Sequence, residues 1–179
     1  MPRYVAFLRA INVGGHTVKM AQLRSLLQDL GLERVETFIA SGNVVFDAAS
    51  ANPQELEQQI EGHLLNALGY EVATFIRTAP ELAAIAHRQP FPEPGAGPDQ
   101  SNLYIAFTGN PLGAEDARKL APFANDVNRF HMQDREVYWR CRTTMSQSEF
   151  SGAMLEKALG MSATLRNSTT VRKLADKLA

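Results

Sequence analysis

Residues 4–8, Tyr4-Val5-Ala6-Phe7-Leu8, are continuously apolar and rich in β-formers, which predicts a buried strand. A polar loop with two glycines follows over residues 9–16, Arg9-Ala10-Ile11-Asn12-Val13-Gly14-Gly15-His16. Met20, Leu23, Leu26, Leu27 and Leu30 then recur at helical spacing, and Gly31 closes that helix. Residues 35–40 and 44–46 read as two strands joined around Ser41-Gly42-Asn43, a hairpin signal. Asn52 followed by Pro53 and Glu55 starts a helix that Leu56, Ile60 and Leu64 carry to Gly69. Residues 72–76 form the next strand, and Thr78-Ala79-Pro80-Glu81 caps a short helix through about His87.

Pro90, Pro92, Pro94, Gly95, Gly97 and Pro98 interrupt the pattern, which predicts a linker over residues 89–101. Beyond it the element order repeats. A strand at 103–107 precedes a helix near 113–120, and a hairpin of 127–132 with 136–141 turns around Gln133-Asp134-Arg135. A helix over 149–159 ends at Gly160, a strand follows at 163–166, and Val171, Leu174 and Leu178 mark a last helix. Tyr4-Val5-Ala6-Phe7 and Tyr104-Ile105-Ala106-Phe107 head the two repeats alike. The expected fold is α+β, two consecutive ferredoxin-like βαββαβ halves over residues 1–88 and 102–179, the second carrying a C-terminal helix.

Composition narrows the classes. The chain has 179 residues, 45 % of them hydrophobic, which is enough for a packed core and excludes wholesale disorder. Its net charge of −1 supplies no global field to draw it onto nucleic acid or an anionic membrane. A single cysteine, Cys141, allows no internal disulfide and no thiolate cage for zinc. Strand alternation sets Val137, Trp139 and Cys141 on one face, so the thiol is expected in the core. The four histidines lack ligand spacing, and no metal site is expected. The N-terminal apolar run is too short for a signal peptide and no stretch spans a bilayer, so cytoplasm is the expected compartment.

The topology gives the polar residues a meeting place. In a βαββαβ sheet the first and third strands are antiparallel neighbours, so residues 9–19 and Ser41-Gly42-Asn43 are expected at the same end of the sheet. The first helix begins there too. Glu55, Glu81, Glu115 and Asp116 sit in first turns of other helices, where each offsets the positive helix end by ~0.3–1 kcal/mol. The first helix has Lys19 at that place instead, and the last follows Asn167-Ser168-Thr169-Thr170 with Arg172 and Lys173. A helix N-terminus without its own carboxylate can receive an anion.

Tyr4-Val5-Ala6-Phe7-Leu8-Arg9-Ala10-Ile11-Asn12-Val13-Gly14-Gly15, with Ser41-Gly42-Asn43-Val44-Val45-Phe46 and Arg166-Asn167, resembles the bacterial family known as domain of unknown function 1697. The resemblance implies an α/β fold of two related halves and no established activity, substrate or cofactor. Glu149 stands where the family usually has lysine, and Ser168 where it usually has tryptophan.

The candidate ligand-binding residues are therefore Arg9, Asn12, Gly14, Gly15, Lys19, Ser41, Asn43, Arg166 and Asn167. Arg9 and Asn12 are demanded by neither a turn nor a core, but several of the others have a plainer reading. The glycines and Ser41-Gly42-Asn43 serve turns, and Asn167 or Ser168 caps a helix. The leading functional expectation is a binder of a small anionic molecule, a nucleotide or phosphate-bearing metabolite, with catalysis and cofactor unassigned. RNA or single-stranded DNA binding and a protein-interaction role are the alternatives. The basic-aromatic pattern of an RNA-recognition motif is absent.

Overall fold

The computed structural model describes residues 1–12, 15–91 and 102–179, with the side chains of Ala40 and Ser41 set aside. Most of the linker expected at 89–101 therefore lies outside the described residues. The chain forms two compact units, Met1–Ile85 with Leu174–Ala179, and Ala86–Lys173.

The first unit runs β1 (Arg3–Leu8), α1 (Met20–Gln28), β2 (Glu33–Phe38), β3 (Ala40–Asp47), α2 (Pro53–Leu68), β4 (Thr74–Thr78) and α3 (Ala79–His87). The second runs β5 (Leu103–Thr108), α4 (Ala114–Leu120), β6 (Asn128–Gln133), β7 (Glu136–Cys141), α5 (Gly152–Leu159), β8 (Ala163–Asn167) and the start of α6 (Ser168–Leu178). Each holds a four-stranded sheet, ordered β2-β3-β1-β4 and β6-β7-β5-β8. All pairings between the strands are antiparallel. This is the expected α+β pattern, two ferredoxin-like βαββαβ halves and a C-terminal helix.

Central β1 is buried from Tyr4 to Leu8, as its unbroken apolar run demands. Tyr4, Ala6 and Leu8 pack under Leu23 and Leu27 of α1 and Leu56, Ile60 and Leu64 of α2. In the second unit Val137, Trp139 and Cys141 share one core with Leu155, Leu159 and Phe150, so the thiol is buried as alternation predicted. The Trp139 indole Nε1 donates to Asn128 Oδ1 at 2.9 Å, which satisfies both buried polar groups.

β4 is an edge strand whose outward amides would otherwise be bare. Carboxylates on the helices flanking it take them: Thr74 N–H donates to Glu61 and Ile76 N–H to Glu57, each at 2.9 Å, and Thr78 N–H to Glu81 at 2.8 Å.

Two readings move. The first hairpin turns at Ile39 (φ 65°), one residue between β2 and β3, so Ser41-Gly42-Asn43 lies inside β3. Asn43 pairs with Phe7 in register, and its Nδ2 donates to Phe38 O at 3.1 Å. Of the three only Asn43 pairs with central β1, and the β2–β3 register shifts between Thr37 and Phe38, so residues 41–43 form an irregular stretch of β3. The fifth helix starts at Gly152 rather than near 149, because Ser151 Oγ accepts from Met154 N and sets the cap there.

Candidate functional site at the start of the first helix

The connection from β1 to α1 spans residues 9–19 and is fastened at several points. Arg9 N–H donates to Ala73 O at 2.9 Å, and Ala10 turns the backbone through a left-handed φ of 55°. The Tyr70 hydroxyl donates to Ile11 O at 2.8 Å, while the Tyr70 ring stacks on the exposed His16 imidazole with centroids 3.8 Å apart. Asn12 Oδ1 accepts from Val18 N at 2.7 Å, bridging the two limbs of the loop. The buried side chains of Ile11 and Val18 anchor those limbs in the core. Gly15 holds a φ of 83°, so the expectation that a glycine is needed there for its left-handed backbone is met. Gly14 lies outside the described residues.

The ends of the six helices separate α1 from the rest. Asn52 caps α2 by accepting from Gln54 N, and Thr78 with Glu81 forms a reciprocal cap on α3. Asp116 accepts from Gly113 N ahead of α4, and Ser151 caps α5. At α6 Asn167 Oδ1 accepts from Thr169 N at 2.8 Å. Among the described residues α1 has no first-turn acid, and its N-cap residue Lys19 makes no side-chain cap bond. Absence of an acid alone is not distinctive, since α5 and α6 lack one as well. The missing cap is. Lys19, Met20, Ala21 and Gln22 are all exposed there.

Register places Asn43 opposite Phe7, two residues before Arg9, so β3 and the loop are joined at one end of the first sheet. Asn43 is 3 % exposed. Its amide group is committed in part to the hairpin, as the Asn12 oxygen is to the loop. Ser41 and Gly42 lie just ahead of Asn43 on β3.

Arg166 and Asn167 belong to the second unit. Arg166 Nη1 donates to Thr164 Oγ1 at 2.7 Å and to Leu165 O at 2.9 Å, and burial pushes its guanidinium down to about 10. Arg77 is its counterpart in the first unit: Val5 pairs with Arg77 as Ile105 pairs with Arg166. Arg77 is 1 % exposed, and its Nη1 likewise donates to the preceding carbonyl, Ile76 O.

Sequence reasoning missed Tyr70, His16 and Arg77. An aromatic after a helix-ending glycine, or one arginine in an apolar strand, carries no motif; only the repeat register could have drawn attention to Arg77. Burial raises the Tyr70 phenol above its ordinary value. Among the described residues no helix is long and apolar enough to cross a membrane, and no group of three or more His, Cys, Asp or Glu is placed to hold a metal ion.

Fold and site define an α+β protein of two four-stranded ferredoxin-like units, the first bearing a basic helix start that its own side chains leave uncapped. The sequence profile of the family described as "Protein of unknown function (DUF1697)" matches residues 1–138, and the chain belongs to that family. Arg166 and Asn167 fall beyond the matched span. In shape the chain is similar to the conserved bacterial protein SP0830 from Streptococcus pneumoniae, with a TM-score of 0.76 and 23 % identity. That likeness covers 99 % of this chain and 98 % of the other, and it shows the fold. No curated protein matches the chain.

Proposed function

We propose that the protein binds a small anionic molecule, a nucleotide or a phosphate-bearing metabolite, at the start of α1. The carrying observation is the N-terminus of α1, which has neither a first-turn acid nor a capping side chain and has Lys19 as its N-cap residue. Amide groups in a first helical turn point outward without intrahelical partners, and the helix dipole favours negative charge there. In this reading Arg9 and Lys19 supply cations, and the backbone at Gly15, with its φ of 83°, lets the ligand approach closely. Asn12, Ser41 and Asn43 shape the rim. A cytoplasmic setting is part of the same proposal.

Nucleic-acid binding draws less support. Ferredoxin-like sheets that bind bases present exposed aromatics on their central strands. Here Val5, Phe7, Asn43 and Val45, on the sheet face away from α1 and α2, are all buried.

Thermal shift against inorganic phosphate and a panel of nucleotides and sugar phosphates tests the proposal. A ligand at a hundredfold excess over Kd stabilises by about 2.7 kcal/mol, which raises Tm measurably. Lys19→Glu places a carboxylate at the tip and should abolish the shift. No response from any probe, or an undiminished response in Lys19→Glu, would refute the reading.

A further inference from the structure

We infer that Tyr70 is a positioning residue, which holds both limbs of the β1–α1 connection in the arrangement that any ligand at α1 would meet. The second half of this statement rests on the anion-binding reading; the clamp itself does not.

The two units share a topology, so the places where they differ in length stand out. The β1–α1 connection covers residues 9–19, eleven residues, where β5–α4 uses only the five of 109–113. The α2–β4 connection covers 69–73, five residues, where α5–β8 uses the three of 160–162. The two longer connections lie in the same unit, and they touch each other. Arg9 N–H reaches Ala73 O, the Tyr70 hydroxyl reaches Ile11 O, and the Tyr70 ring carries His16. One side chain thus grips the incoming limb through a hydrogen bond and the outgoing limb through a stacked ring. Asn12 adds a bond between the limbs themselves.

The second unit secures its loop differently. Thr108 N–H and Leu112 N–H donate to Arg135 O and Asp134 O of the β6–β7 turn, at 2.9 and 2.7 Å. Thr108 Oγ1 donates to Asn110 O or Arg135 O, each at 2.9 Å. There the short loop lies against the hairpin turn. In the first unit the longer loop is held by the α2–β4 segment, from which Tyr70 reaches both of its limbs, beside the Asn12–Val18 bond within the loop.

The test compares the full chain with Tyr70→Phe, which keeps the ring and removes the hydroxyl, and with Tyr70→Ala, which removes both. Hydrogen exchange is followed at the amides of residues 9–19, with those of β1 and β3 as internal controls. Loss of one hydrogen bond to the loop should speed exchange in that segment about fivefold in Tyr70→Phe. Tyr70→Ala should speed it further, while the β1 and β3 amides keep their protection. Phosphate titrations on the same proteins, read by backbone NMR shifts at residues 15–22, should show affinity falling in the same order. Unchanged loop exchange in both variants overturns the clamp, whatever phosphate does. Faster exchange with unchanged phosphate affinity overturns the positioning role. A wild-type protein that ignores phosphate while loop exchange still rises in the variants overturns the ligand half of the inference and keeps the clamp. Tyr70→Phe guards against misfolding of the alanine variant, because its ring still fills the same space.

Discussion

Several buried polar side chains in this protein are matched to specific partners, and that matching sets what a single substitution does. Trp139 is an example: its ring packs edge-on against Phe150 with centroids 5.3 Å apart, and its Nε1 bonds the Asn128 side chain. Trp139→Phe should cost about 2–3 kcal/mol, from lost volume and from an Asn128 oxygen deprived of one donor, as read by urea unfolding. Tyr138 lies one residue away on the opposite face and is 1 % exposed. Burial pushes its phenol well above the ordinary value, with the Glu136 carboxylate adding to the rise and Arg88 opposing it. The native state therefore keeps a proton that the unfolded chain gives up near pH 10, and stability complete below that pH is lost as pH rises beyond it. Alkaline denaturation followed by circular dichroism and phenolate absorbance should show Tyr138 ionising together with unfolding. A Tyr138→Phe protein should lose part of that alkaline slope.

At the scale of elements, the β4 edge illustrates how helices and strands complete one another. Three glutamates accept from the outward amides of Thr74, Ile76 and Thr78, so the strand offers no bare N–H row to another chain. Glu57→Ala leaves the Ile76 amide buried without its acceptor and should cost about 1–3 kcal/mol in urea unfolding, with Glu61→Ala nearer the lower bound because that glutamate is less buried. An equal, negligible cost for both would mean that solvent already reaches those amides. The same scale explains the displaced hairpin. Gly42 and Asn43 carry strong turn propensity, yet both lie inside β3, which pairs with central β1 from Asn43 onward. The reversal falls on Ile39 at a left-handed φ that a β-branched residue tolerates poorly. Ile39→Gly should therefore be neutral or mildly stabilising, which thermal unfolding would read directly.

Over the whole molecule, the last residues of the chain complete the first unit. Leu174–Ala179 group with Met1–Ile85, and Leu174 is fully buried. Lys177 Nζ meets Glu36 Oε2 at 2.8 Å and lies 5.8 Å from the Phe38 ring centroid, while Arg3 reaches the other Glu36 oxygen at 3.4 Å. The hydrogen bond from Lys177 is the largest of the effects that hold the Glu36 carboxyl below its ordinary value. The native state thus holds Glu36 ionised to lower pH than the unfolded chain does. Its stabilising contribution is present above the ordinary glutamate range and lost as pH falls through the native value. Lys177→Gln should flatten that part of the acid-unfolding profile. A chain ending at Lys173 should be less stable by at least the ~2–5 kcal/mol of a deleted buried leucine, in urea unfolding monitored on the first unit.

Local pattern in the sequence determined the element order, the repeat, the two-half α+β fold and the inward face of β7, because periodicities of two and 3.6 follow from backbone geometry alone. It also determined that α1 starts without an acid, which is simple residue order. Three-dimensional pairing decided the rest. It placed the first turn at Ile39, brought Tyr70 onto Ile11 and His16 across more than fifty residues of chain, matched Arg77 with Arg166, and returned the final turn of α6 to the first unit. Each of these depends on contacts between residues far apart in the chain. No window of neighbouring residues encodes them, since their free energy arises only when the strands and helices are already side by side.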